Sequence, residues 1–162
     1  MLLCSTMHAH HGSLASPEGT ASEERPRVLL AEDDPELRTL ISLSLRWDGY
    51  VVVEAADGTE ALECFGGSLL STCAPRAFDL IVSDIRMPGF SGMDVLFALR
   101  GMSTAPPVIL ITAFGDYATH ERAKRFGALE VLDKPFDLSD LRAAVSRALA
   151  HRGPSGALPD RA

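Results

Sequence analysis

The sequence predicts a doubly wound α/β domain, with five parallel strands in the order 2-1-3-4-5 and five helices, and three observations carry that prediction. Short apolar runs rich in β-branched residues recur at 28–31, 50–54, 80–84, 108–111 and 129–132, each too short for a helix and suited to a strand buried in a sheet. Segments with apolar residues at helical spacing follow each run, and alternation of strand and helix forces a parallel sheet joined by right-handed crossovers. The runs also lead into polar residues able to do chemistry: Glu32-Asp33, Asp84, Thr112 and Lys134.

Taken in order, Val28-Leu29-Leu30-Ala31 is the first strand and the acidic run Glu32-Asp33-Asp34 ends it. Pro35 suits the first turn of a helix, where its missing N–H costs nothing, with Asp34 as the cap. Leu37, Leu40, Ile41 and Leu45 are expected to face the sheet. Asp48-Gly49 breaks this helix, 50–54 is the second strand, and Asp57-Gly58 turns into a second helix that buries Ala61, Leu62 and Phe65. The stretch 66–76 is irregular, so the helix either runs on through Leu69-Leu70 or ends in a loop. The third strand, 80–84, ends in a carboxylate, and Met87-Pro88-Gly89 stops its continuation. A third helix from Ser91 carries Met93, Leu96 and Phe97 as its inner stripe and ends near Gly101. Pro106-Pro107 leads into the fourth strand, and a fourth helix over 116–126 closes at Gly127. The fifth strand runs to Asp133-Lys134-Pro135. The last helix follows the cap Asp137, with Leu138, Leu141, Val145, Ala148 and Leu149 inward.

At 162 residues the chain fits one domain, 26–150, flanked by a tail at 1–25 that is expected to be disordered and a short tail at 151–162. No effector domain is expected to follow. Hydrophobic residues make up 46% and charged residues 23%, and no apolar run approaches a membrane span, so a membrane protein is excluded. The net charge of −7 argues against nucleic acid as a direct partner, since phosphate binding needs clustered Lys and Arg. Cys4, Cys64 and Cys73 are odd in number and lack metal-ligand spacing, which points to reduced thiols in a cytoplasmic protein. Met1-Leu2-Leu3-Cys4 has neither a basic start nor an apolar segment long enough for export, and Met7 is an alternative start that the sequence leaves open. His8, His10 and His11 lie among small polar residues with nothing to hold them as a metal site.

In sheets of this order ligands bind outside the carboxyl ends of the strands, where strand order reverses, between strands one and three. Strand one ends at Glu32-Asp33 and strand three at Asp84. Clustered carboxylates repel one another and need a cation, and oxygen ligands without His or Cys favour Mg²⁺. Opposite them, the Thr112 hydroxyl and the Lys134 ammonium suit a phosphoryl group. A carboxylate attacking phosphorus beside Mg²⁺ and Lys134 is the chemistry of aspartyl-phosphate formation.

The residues resemble the receiver domains of two-component response regulators, in particular stand-alone regulators of the chemotaxis type. Residues 28–35, 84–92, 111–113 and 133–136 look like the four motifs of that family in order and spacing, and the resemblance covers about 26–150. It implies a flavodoxin-like fold with Asp84 as phospho-acceptor and Asp33 as a direct Mg²⁺ ligand. Glu32 would act through metal-bound water, Arg86 would lend its backbone carbonyl, Thr112 would bond the phosphoryl group and Lys134 would pair with it. A cis peptide before Pro135 is also implied. The donor would be a sensor histidine kinase or a histidine phosphotransfer protein, because His120 and His151 show no kinase context; the downstream target protein is unknown.

One departure concerns output. Receivers usually carry Tyr or Phe three residues before the Lys-Pro pair, and here that position is Val131. A phosphatase of the haloacid-dehalogenase type also uses a strand-end Asp with Mg²⁺, but it needs a second acid two residues on, where this chain has Arg86. The remaining alternative is a receiver-like binding module that works without phosphate. The expected protein is no enzyme in the ordinary sense, catalysing only its own phosphotransfer and dephosphorylation, with Phe114 near the path of the hydrolytic water.

Overall fold

The computed structural model describes residues 25–70 and 77–150. The expected tails, the histidines of the N-terminal stretch, Cys4 and Cys73 lie outside the described residues. The elements run β1 (Arg27–Ala31), α1 (Pro35–Trp47), β2 (Val51–Ala55), α2 (Gly58–Leu70), β3 (Leu80–Asp84), α3 (Gly92–Leu99), β4 (Val108–Thr112), α4 (Tyr117–Phe126), β5 (Glu130–Asp133) and α5 (Leu138–Ala150). All pairings are parallel, and the sheet order is β2-β1-β3-β4-β5, as the alternation predicts.

Strand alternation divides the core into two layers. On β1, Leu29 and Ala31 join the layer beneath α2, α3 and α4, while Val28 and Leu30 join the layer beneath α1 and α5. A parallel sheet covered on both faces explains why β3 and β4 are buried at every residue, including the polar Ser83, Asp84 and Thr112. Each fully buried Leu or Ile there contributes about 1.5–3 kcal/mol.

The helix ends follow local chemistry. Asp34 caps α1 by accepting from the Glu36 and Leu37 N–H groups, and Asp116 caps α4 by accepting from Thr119 N–H. Ser91 and Asp94 form a reciprocal capping box at the start of α3. Gly127 ends α4 at φ 96°, a conformation that costs glycine little. The second helix does run on through Leu70.

Two inner-face assignments are corrected. Leu40 is 51% exposed, because α1 turns Ile41, Ser42 and Leu45 to the sheet; Ser42 satisfies its hydroxyl by donating to Glu54 Oε1 at 2.7 Å. Phe97 is 59% exposed, because α3 buries Met93, Val95, Leu96 and Leu99 instead; its ring meets Phe126 of α4 edge-on at 5.9 Å. Both misplaced residues border a buried stripe, where apolar spacing alone does not fix the rotation of the helix. Strands β2 and β5 each begin one residue later than expected.

Candidate functional site

The carboxyl edge of the sheet gathers the polar residues of β1, β3, β4 and β5. Glu32 and Asp33 follow β1 directly. Glu32 is fully buried, while Asp33 is exposed to solvent. The Glu32 carboxylate accepts from Asp34 N–H at 3.2 Å and from Lys134 Nζ at 2.9 Å, and its backbone carbonyl accepts from the Arg38 guanidinium at 2.7 Å.

Asp84 ends β3 and is 3% exposed. Its Oδ1 accepts from Arg86 N–H at 2.8 Å and its Oδ2 accepts from Lys134 Nζ. The turn behind it depends on Gly92, where a Cβ would stand 2.3 Å from the Asp84 carbonyl oxygen. No side chain fits there, so α3 begins directly against the backbone of the acid.

Lys134 reaches this centre from the end of β5, where the Lys134–Pro135 peptide is cis as the resemblance implies. Its backbone N–H donates to Thr112 O at 2.7 Å, which ties the ends of β4 and β5. Thr112 is 1% exposed, and its hydroxyl accepts from Phe114 N–H at 3.1 Å. Phe114 is exposed, and the Arg86 guanidinium lies over its ring. Val131, half-buried on β5 opposite Leu110, packs against the core layer on the α2–α4 side.

Burial pushes the Glu32 carboxyl above the ordinary carboxylate range; the Lys134 hydrogen bond opposes this and the negative Asp84 adds to it. Burial works to lower the Lys134 ammonium, yet hydrogen bonds to Asp84 and Glu32 outweigh it and hold the group above its ordinary value. Oxygens of Glu32, Asp33 and Asp84 lie within 4.8 Å of one another. Three carboxylates facing one ammonium leave an excess of negative charge, and all the donors are oxygens, so the residues present fit a hard divalent cation. The structure thus brings together Glu32, Asp33, Asp84 and Lys134, with Thr112 and Arg86 joined to them through the backbone.

Gly92 closes the 84–92 motif in the sequence, but its steric role against Asp84 shows only in three dimensions, its one local signal being a glycine at the first position of a helix beside the better-capping Ser91. The contact between His120 and Asp133 at 2.9 Å, which joins α4 to the end of β5, has no sequence signal.

The acid cluster thus lies at the switch point of a doubly wound domain, with a lysine bridging two of its acids. The family model of the response regulator receiver domain matches residues 28–146, and the chain belongs to this family. Receiver domains serve phosphorelay signalling and are generally phosphorylated by histidine kinases. The chain is 35% identical over 124 residues to the transcriptional regulatory protein ZraR of Escherichia coli O157:H7, covering 76% of this chain and 26% of that protein. It is 39% identical over 126 residues to the transcriptional activator protein PfeR of Pseudomonas aeruginosa, covering 76% of this chain and 38% of that one. The chain therefore spans well under half the length of these curated relatives. Among solved structures, the response regulator protein TrrA from Thermotoga maritima, in complex with Mg²⁺ and BeF, superposes with a TM-score of 0.64 at 31% identity, over 76% of this chain and 99% of that one.

Among the described residues, no helix is long and apolar enough to cross a membrane.

Proposed function

We propose that Asp84 accepts a phosphoryl group from a phosphohistidine on a sensor histidine kinase or a histidine phosphotransfer protein. The observation that carries this reading is Lys134 Nζ bonded to both Asp84 and Glu32 beside the exposed Asp33. An Asp84 carboxylate oxygen forms the new bond to phosphorus as the bond from phosphorus to the donor imidazole nitrogen breaks. Lys134 turns from Asp84 to the transferred group, supplying positive charge where charge builds on the phosphoryl oxygens. Thr112 offers its hydroxyl hydrogen to one of those oxygens, since the hydroxyl already accepts from Phe114 N–H.

Asp33 and Asp84 would bind Mg²⁺ directly, Glu32 through water and Arg86 through its backbone carbonyl. Bound there, the ion would supply charge neutralisation of the phosphoryl oxygens. A TrrA structure in complex with Mg²⁺ and BeF supports this assignment. The chain's own catalysis is limited to its phosphotransfer and dephosphorylation. It acts in the cytoplasm, where its receiver domain docks on a target protein or passes phosphate to another relay protein. The acidic balance, with a net charge of −7, favours protein partners over nucleic acid.

Intact-mass measurement after incubation with acetyl phosphate tests the reading. A phosphoryl adduct should form in Mg²⁺, fail in EDTA and fail in Asp84→Asn. An adduct that persists in the mutant, or forms equally well in EDTA, overturns the assignment. Phosphotransfer profiling against purified kinases then identifies the donor.

A further inference from the structure

The loop that follows Thr112 is closed off by a side-chain bridge. His120, one turn into α4, meets Asp133 Oδ1 through Nε2 at 2.9 Å, and Asp133 is the last residue of β5. The bridge passes so close over Gly115 that a Cβ there would stand 1.5 Å from Asp133 Oδ1 and 2.8 Å from His120 Nε2. Its side chains are partly exposed, at 26% for His120 and 54% for Asp133, so the bridge is not needed to fill the core.

The position of Asp133 gives the bridge its significance. Asp133 pairs with Thr112 in the ladder between β4 and β5, and the next residue donates its N–H to the Thr112 carbonyl. That next residue is Lys134, whose ammonium is bonded to Asp84. Both groups assigned to the phosphoryl group, the Thr112 hydroxyl and the Lys134 ammonium, therefore reach it from residues facing or adjoining Asp133. A backbone displacement at either one would reach Asp133 through these bonds. From there the Asp133 carboxylate offers a path across the loop to His120. At the start of α4, Asp116 accepts from Thr119 N–H through its side chain at 2.8 Å and from His120 N–H through its carbonyl at 3.1 Å, so His120 is fixed to the first turn of the helix. Val131 offers no polar side chain for a parallel route.

We infer that His120 and Asp133 are a positioning pair that couples the first turn of α4 to the state of the phosphoryl site. The coupling rests on the proposed phosphoryl acceptance at Asp84, and it needs a contiguous contact with two arrangements rather than proximity alone.

The test is a comparison of amide chemical shifts with and without beryllofluoride and Mg²⁺. In the wild-type chain, changes should appear at Asp84, Thr112 and Lys134 and extend to Asp116–Glu121. In His120→Ala and in Asp133→Ala the changes at Asp84, Thr112 and Lys134 should persist while those at Asp116–Glu121 are lost. Asp133→Asn keeps an acceptor for the imidazole and should restore them. Changes at Asp116–Glu121 that survive in both alanine variants would overturn the coupling and leave the phosphoryl reading intact. Failure of Asp133→Asn to restore them would overturn the hydrogen bond as the link. A wild-type chain showing no changes at Asp84, Thr112 and Lys134 would overturn the phosphoryl reading and this inference with it.

Discussion

The guanidinium of Arg86 lies 4.1 Å from the centroid of the Phe114 ring, so the residues two positions past Asp84 and two past Thr112 close over the same side of the site. With a phosphoryl group on Asp84 as proposed, water approaching phosphorus from that side would pass this pair. Phe114→Ala removes the ring and frees Arg86, and dephosphorylation should quicken. A cation–π contact at an exposed site is worth about 0.5–1 kcal/mol, which corresponds to a rate change of roughly two- to fivefold. The decay of the phosphoryl adduct formed from acetyl phosphate, followed by intact mass, measures it; an unchanged or slower decay removes the shielding role.

Lys134→Ala should destabilise the metal-free protein, because it leaves Glu32 and Asp84 buried together without their shared ammonium. Removing one partner of a buried pair costs about 3–5 kcal/mol, and the lysine's partial exposure places this case at or below the lower end. Mg²⁺ should recover part of the loss by supplying positive charge to the same acids. Urea titrations with Mg²⁺ and with EDTA decide it, and equal midpoints for variant and wild type would contradict the bridging role.

Gly92→Ala tests the approach of α3 to Asp84. Its Cβ would stand 2.3 Å from a backbone oxygen, which cannot swing aside as a side chain can. Overpacking of this kind costs about 1–3 kcal/mol. Phosphoryl acceptance should fall with it, since the Asp84 backbone must shift. Full labelling at wild-type stability would show that the turn tolerates a side chain.

Much of this was legible in the sequence because the relevant signals are local. Five apolar runs, the cap at Asp34, the stop at Met87-Pro88-Gly89 and the strand-end acids all state their roles within a few residues, and alternation then fixes the topology. What stayed hidden depends on three-dimensional approach. Spacing places Leu40 and Phe97 inward, but whether a stripe-edge residue is covered depends on how the helix is rotated on the sheet. Glu32 and Asp33 are adjacent in sequence, yet one is fully buried and the other exposed, and the Lys134 contact across 102 positions, together with Asp34 N–H, accommodates the buried one. Gly92 and the His120–Asp133 bridge leave no periodic trace.

Acid stability should follow the depressed carboxyls. The Arg142 guanidinium, donating from Nε to Asp48 Oδ2 at 2.7 Å, holds the Asp48 carboxyl below its ordinary value. Backbone N–H groups of Leu37 and Glu36 do the same for the cap Asp34, the Ser91 hydroxyl for Asp94 and Thr119 for Asp116. A carboxyl depressed in the folded state stabilises fully above its unfolded value, about 3.9 for Asp, and loses that contribution as pH falls through the folded value. Stability should therefore drop below about pH 4, and Asp48→Asn should flatten that slope. An identical acid slope in the variant would show that the Arg142 pair does not contribute.

Val131 sets the reach of the response through β5. In a receiver with Tyr or Phe at this position, the ring moves inward as the threonine is drawn to the phosphoryl group, and the surface of α4, β5 and α5 changes with it. Valine has no polar tip, and its branched Cβ leaves little rotamer freedom in a strand. Here it packs against the core layer beside Leu110, which restrains it further. A ligand shifts conformations only by its differential contacts with them, and Val131 supplies none. Beryllofluoride-induced shift changes should therefore be strong at Asp84, Thr112-Ala113 and Lys134 and fall off through Leu132, Val131 and Glu130, with little effect in α5. Val131→Tyr should extend them along β5. Large changes throughout β5 and α5 in the wild-type chain would show that the aromatic is dispensable and that the signal leaves the site by another face.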